Sequence, residues 1–118
     1  TRNVALAVLS NKPQRFTEKC VTEFLGDVDF AMVSGQRDGV PKKPDPAGAF
    51  EIARTLKRAP SDCLYLGDTS VDMQTACGAG MLPVGALWGF RTRDELVAHG
   101  AARLVEHPRE VPPIVWGE

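Results

Sequence analysis

No apolar run in this 118-residue sequence approaches the roughly 20 residues that a membrane-spanning helix needs. Neither sign of charge dominates: 14 Lys and Arg stand against 15 Asp and Glu, a formal net charge of -1. Binding to nucleic acid or to an anionic membrane therefore has no electrostatic basis. The opening TRNVALAVLS lacks the long apolar core and small-residue cleavage site of a secretory signal. Cysteine is scarce: Cys20, Cys63 and Cys77 are an odd number without CxxC spacing. Two of them fall in apolar periodic patterns. They read as small buried hydrophobes in a reducing, cytoplasmic compartment rather than as nucleophiles. His99 and His107 have no ligand-like spacing and read as surface residues. Internal repeats, low-complexity tracts and long linkers are absent too. What is there is ordinary for a soluble globular protein, with 43% hydrophobic and 25% charged residues, and 118 residues suit one domain with one core.

Strand and helix patterns alternate along the chain. Val4 to Leu9 (VALAVL) is a near-continuous apolar run, as expected of a strand covered on both faces, and it ends in Ser10-Asn11-Lys12-Pro13. Pro13 suits the first position of a helix. Phe16, Cys20 and Phe24 at steps of four, with Thr17, Val21 and Leu25 beside them, predict one apolar stripe from about residue 14 to 25. Gly26 stops it, and Phe30 to Val33 reads as a second strand closed by Ser34 and Gly35. After a polar loop from Gln36 to Lys43, Asp45-Pro46 marks a helix start. Ala49, Phe50, Ala53 and Leu56 are the predicted buried face of that helix. A third strand, Cys63 to Leu66, follows Pro60 and Ser61.

The next helix is poor in bulky residues. Its predicted inward positions are Val71, Thr75, Ala76 and Ala79, which suggests close packing against the sheet. Leu82 to Leu87 is a further strand with Pro83 near its beginning. Asp94 to His99 is a short helix, Arg103 to Val105 an edge strand, and the proline-rich tail from Pro108 a short turn of helix followed by irregular chain. This alternation implies βαβ units with right-handed crossovers, an α/β fold with a doubly wound, mostly parallel sheet.

Three places along this chain carry polar chemistry, and all fall at strand ends or loops on one edge of such a sheet. In LYLGDTSVD (Leu64 to Asp72), an apolar strand stops at a glycine and two carboxylates follow four residues apart. Asp68 then sits at the strand's carboxyl end, where ligands of open α/β sheets bind. Asp72 lies in the first turn of a helix that Thr69 or Ser70 can cap. A carboxylate there can hold Mg²⁺, which prefers oxygen ligands and keeps several waters. A merely capping Asp is the structural alternative for this stretch alone. Ser10-Asn11 offers a hydroxyl and backbone N–H groups at a helix start, a setting that binds phosphate oxygens. Lys43 supplies a compact positive charge for phosphoryl oxygens and for a nearby carboxylate. These parts suit phosphoryl transfer, in which a protein mainly positions groups and neutralises charge.

VLSNKP, the Lys43-Pro44 pair in KKPDP, and GDTSVD resemble, in order, the second, third and fourth motifs of haloacid-dehalogenase-like hydrolases. With the GAGM that follows the acidic helix, the order and spacing are most similar to the phosphoglycolate phosphatase branch. The resemblance runs from Val4 to about Val105. It implies a Mg²⁺-dependent phosphomonoesterase acting on a small phosphorylated metabolite through an aspartyl-phosphate intermediate. Ser10 would then hydrogen-bond the transferring phosphoryl group, with Asn11 contributing mainly its backbone N–H. Lys43 would stabilise the nucleophilic carboxylate and the phosphoryl oxygens. Asp68 would ligate Mg²⁺, and Asp72 would hold a metal-bound water or orient Lys43. Lys42 and Lys12 read as solvated charges.

One part of the family pattern is missing. The first motif, DxDGT, which carries the nucleophilic aspartate, does not occur. Asp27-Val28-Asp29 follows a helix and lacks Gly-Thr, so it reads as a loop. The cap domain is missing as well. The expectation is thus that residues 1–118 form one partial core domain beginning in the middle of a longer protein, inactive alone. In the family's sheet the absent strand lies between the strand ending at Ser10 and the strand ending at Gly67. A buried unpaired backbone group costs about 1–3 kcal/mol, so the gap should not stay empty. Either the upstream piece fills it, or the two strands close together, or another chain supplies the strand.

Alternative readings of the sequence are a phosphomutase, a dehalogenase, a degenerate member without a nucleophile, and a receiver-like phosphate-responsive module. Two acidic residues in GDTSVD favour a metal over dehalogenation. In receiver-like domains the Lys-Pro pair follows the acidic strands, whereas Lys43-Pro44 precedes Asp68.

Overall fold

The apolar run that starts at Val4 does not begin the first strand. The computed structural model describes residues 4–25, 30–89 and 91–115, with only the backbone for 24 and 25. In it β1 spans Ala7–Pro13, and Val4 and Leu6 are exposed ahead of it. Pro13 is thus the last strand residue, opposite Gln36, and the helix α1 follows as Gln14–Leu25. Proline is tolerated there because it closes an edge of the ladder. The second strand, β2, is Met32–Gln36, two residues later than the apolar letters suggested. Ser34 and Gly35, expected to close it, lie inside it and are buried. Gln14 explains the shift. Its side-chain carbonyl accepts from the Gly35 N–H at 2.6 Å and its amide donates to the Val33 carbonyl at 2.9 Å, capping β2 from the helix start.

The stripe on α1 is rotated from the expected one. Thr17 is the buried residue, its hydroxyl donating to the Lys12 and Pro13 carbonyls, whereas Phe16 points outward at 60% exposure. A hydroxyl that satisfies strand-end carbonyls outcompetes a phenyl ring for the place beside the Gly35 backbone. The residues 27–29 read as a loop lie outside the described residues.

The helix α2 is Ala47–Thr55. Pro46 occupies the N-cap, and the Asp45 carboxylate still accepts from the Ala47 N–H at 2.9 Å. Gly48, Ala49 and Ala53 form its buried face, and Phe50 is exposed rather than buried. A tight turn at 60–62 leads to β3, Leu64–Gly67. The helix α3, Ser70–Ala79, is capped by Thr69 and ends at Gly80, so Gly78 lies within it. Met73 joins Thr75, Ala76 and Ala79 on its buried side. After it come β4 (Leu82–Ala86), α4 (Arg93–Ala98), β5 (Arg103–Val105) and, beyond a turn at 108–110, α5 (Val111–Val115). None of the three cysteines is fully buried, and Cys77 is exposed, which corrects their reading as core residues. The described residues contain no helix long and apolar enough to cross a membrane.

All described strand pairs are parallel, so the fold is α/β, but the strands form two sheets instead of one. β1 pairs with β2, and β3, β4 and β5 pair in that order. The core follows this division. Met73, Val84, Leu96 and Val105 pack around β4, while Ala49, Ala53, Ala79 and Met81 join α2 to α3, with Leu9 and Tyr65 against them. Between the free edges of β1 and β3 lies a cleft of about 800 Å³ bordered by Leu6, Val8, Leu64 and Leu66. Direct closure of β1 onto β3, one of the three foreseen outcomes, is therefore not what the chain adopts. Within this chain the gap stays open, against the expectation that it should not; Leu66 on β3 is 39% exposed and Leu6, just ahead of β1, 47%.

Candidate active site

Asp72 is the best-connected side chain at the carboxyl end of these strands. Thr69 sets its place by a reciprocal cap: the Thr69 hydroxyl accepts from the Asp72 N–H at 3.2 Å and donates to Oδ2 at 3.0 Å. The Asp68 N–H also donates to Oδ2, at 3.2 Å. Oδ1 accepts from Lys43 Nζ at 2.7 Å and from the Tyr65 hydroxyl at 3.3 Å. The Lys43 and Asp72 side chains are only 14% and 11% exposed, so this is a largely desolvated ion pair. Burial by itself raises the Asp72 pKa. The hydrogen bond and charge of Lys43, with the Thr69 and Asp68 donors, outweigh it and hold the carboxyl below its ordinary range. Burial and the adjacent Asp72 carboxylate push the Tyr65 phenol well above its ordinary value, so it remains a neutral donor.

Gly67 makes this approach possible. A Cβ on residue 67 would lie 2.6 Å from Asp72 Cγ and 2.7 Å from Oδ2. Gly67→Ala is therefore expected to cost about 1–3 kcal/mol in chemical denaturation, as overpacked sites do. Unchanged stability would mean that Asp72 has room to retreat.

Lys43 is held at its other end as well. The Asn11 side chain accepts from the Lys43 N–H at 2.9 Å and donates to the Lys43 carbonyl at 3.2 Å. The Lys43-Pro44 peptide bond is cis. Ser10 stands one residue earlier on β1, its Oγ accepting from the Lys12 N–H at 3.0 Å and its own hydroxyl proton left to donate elsewhere. Ser10, Asn11 and Lys43 border one small crevice.

Of the residues singled out in the sequence, Asn11, Lys43 and Asp72 are thus bonded together, with Asp68 joined through its backbone. The Asp68 carboxylate, half-buried just beyond β3, takes none of the hydrogen bonds among the described residues. It packs against Gly89, where a Cβ would meet Asp68 Cβ at 2.7 Å and Cγ at 2.9 Å. Tyr65 and Gly89 went unnoticed in the sequence, and Gly67 reads there only as the strand's stop, not for its close approach to Asp72. A lone tyrosine in an aliphatic strand was the available signal, because a buried phenol needs a partner.

The donor set bears on the expected cation. Asp72 spends both oxygens on donors of the chain, whereas Asp68 keeps its carboxylate free. The described residues contain no group of three or more His, Cys, Asp or Glu side chains able to hold a metal. One free carboxylate fits a Mg²⁺ site as a single contributor, since that ion binds through one or two carboxylates and keeps water.

The sequence and fold of this chain have counterparts among known proteins. Residues 1–80 match the family model of haloacid dehalogenase-like hydrolases, and the chain belongs to that family. A phosphoglycolate phosphatase of Xylella fastidiosa is 34% identical over 112 residues, covering 92% of this chain and 48% of that protein. A phosphoglycolate phosphatase of Pseudomonas syringae is 28% identical over 110 residues, covering 93% of this chain and 40% of its own length. Among solved structures, a putative phosphoglycolate phosphatase from Lactobacillus delbrueckii superposes with a TM-score of 0.88 at 34% identity, over 98% of this chain and 48% of that one. A putative beta-phosphoglucomutase from Thermotoga maritima shares the fold, with a TM-score of 0.82 at 21% identity, over 97% of this chain and 53% of that one. The chain spans about half the length of the relatives it matches.

Proposed function

We propose that this chain is the C-terminal core portion of a Mg²⁺-dependent phosphomonoester hydrolase of phosphoglycolate phosphatase type. The intact enzyme would act through an aspartyl-phosphate. The observation that carries this reading is Lys43 at the strand ends, its backbone held by the Asn11 amide and its ammonium paired with Asp72. A fixed, largely desolvated cation stabilises the charge that develops on phosphoryl oxygens without reorganising. In this reading Ser10 donates its hydroxyl proton to a phosphoryl oxygen, and the Asn11 N–H adds a second donor. Asp68 would hold Mg²⁺, which when bound neutralises phosphate charge and orients the ester. Asp72 keeps Lys43 aimed, which favours the second of its two expected roles.

The cleft between β1 and β3 belongs to the same proposal. Its two unpaired strand edges and apolar walls suit one more strand, supplied by an upstream part of the same protein or by a partner chain. The nucleophilic carboxylate would arrive on that strand, which is why the 118-residue chain alone is expected to hydrolyse nothing. The test is a panel of small phosphomonoesters assayed with the intact protein and with this chain. Turnover by the intact protein alone, lost on chelation and in Asp68→Asn, is the expected result. Mg²⁺-dependent turnover by the 118-residue chain would overturn the assignment.

A further inference from the structure

Asn11 drew notice in the sequence for its backbone N–H, yet its side chain is already committed. Both halves of its amide are used on one residue 32 positions away, the oxygen on the Lys43 N–H and the nitrogen on the Lys43 carbonyl. That pairing mimics a rung of sheet between the end of β1 and the loop before α2. It matters because β1 and β3 share no ladder. The polar path from one sheet to the other at this end runs Asn11, Lys43 backbone, Lys43 Nζ, Asp72, Tyr65, the last being a residue of β3. Lys43 is a flexible side chain on a loop, and its Nζ can be aimed only if its backbone is fixed.

We infer that the Asn11 side chain is a positioning residue for Lys43 and does not itself bind substrate. It pins the loop backbone so that the ammonium spans to Asp72. The inference rests on the phosphatase reading for its effect on catalysis, but its structural part stands apart from it. A planar amide is required, because the site needs a donor and an acceptor side by side. Aspartate keeps the acceptor and sets a carboxylate against the Lys43 carbonyl, and leucine provides neither. Asn11 is solvent-exposed, so its loss should disturb aim more than folding.

The experiment uses the intact protein carrying Asn11→Leu or Asn11→Asp, each with Lys43 and in a Lys43→Met background. One readout is hydrolysis of p-nitrophenyl phosphate. The other is the rate at which acetic anhydride modifies Lys43, followed by mass spectrometry with exposed Lys42 as internal reference. Asn11→Leu should lower kcat by about 10- to 100-fold, the usual effect of losing a supporting partner, with KM nearly unchanged. Lys43 should acetylate faster while Lys42 does not, and Asn11→Leu should cost nothing further once Lys43 is methionine. An unchanged Lys43 rate would overturn the inference. So would a loss that persists in full in the Lys43→Met background, which would place Asn11 on the substrate. If Asn11→Leu fails to fold, Asn11→Asp is read by the same criteria. If the parent protein hydrolyses no phosphomonoester, the phosphatase reading fails while the acetylation rate still judges the clamp.

Discussion

Asp72→Ala should destabilise the protein by about 3 kcal/mol, the low end of the cost of breaking a buried ion pair. The truncation strands the ammonium of Lys43, whose side chain is 14% exposed, without its anion, and removes the acceptor for the Thr69 and Tyr65 hydroxyls and the Asp68 N–H. Urea unfolding measures the loss. Adding Lys43→Met should recover part of it, because the stranded charge is then gone, and the two substitutions will not sum. The pH dependence follows from the direction of the Asp72 shift. Its folded-state pKa lies below the ordinary 3.8, which the unfolded chain regains. The pairing therefore contributes in full above that value and is lost as acidification passes through the lower folded-state pKa. Asp72→Asn should flatten this acid limb. A limb as steep as that of the parent protein would show that other carboxylates govern acid unfolding.

Leu66→Lys should be nearly silent in the 118-residue chain and cost about 2–3 kcal/mol in the intact protein, the scale of fully burying a leucine side chain. In this chain Leu66 faces the cleft beside the open edge of β3 and is 39% exposed, so a lysine can reach water. A strand seated between β1 and β3 would cover that position and leave the charge no exit. Leu6→Lys, across the cleft at 47% exposure, should behave alike. Thermal midpoints of both forms provide the measurement. Equal losses in the two forms would mean that nothing covers the cleft in the longer protein.

Much of this architecture is legible in the letters. The alternation of apolar runs and 3.6-residue stripes marks every described strand and the longer helices, because burial of one face must repeat with the period of the element. Asp68 and Asp72 could be placed at a strand end and a first helical turn because a glycine and a capping threonine are local devices. Boundaries moved where polar side chains settled backbone groups. Gln14 drew Ser34 and Gly35 into β2, and Thr17 displaced Phe16 from the buried side of α1. The Gln14 bonds join residues 21 and 19 positions apart, and the Thr17 bonds span only five and four. Both are polar contacts to backbone groups, of which apolar periodicity carries no record.

Lys43, Asp68 and Asp72 emerged from the sequence by residue type and order, with phosphoryl chemistry as the consequence. Only the tertiary structure decided how Asp72 is used. Its oxygens are consumed by Lys43, Tyr65, Thr69 and Asp68, which leaves Asp68 as the free carboxylate. The same holds for Asn11, whose amide meets Lys43 through a contact that no local pattern encodes. The division into two sheets is also a tertiary outcome. Apolar strand patterns specify that an edge wants a neighbour, but which neighbour it meets depends on what the rest of the fold brings within hydrogen-bonding distance.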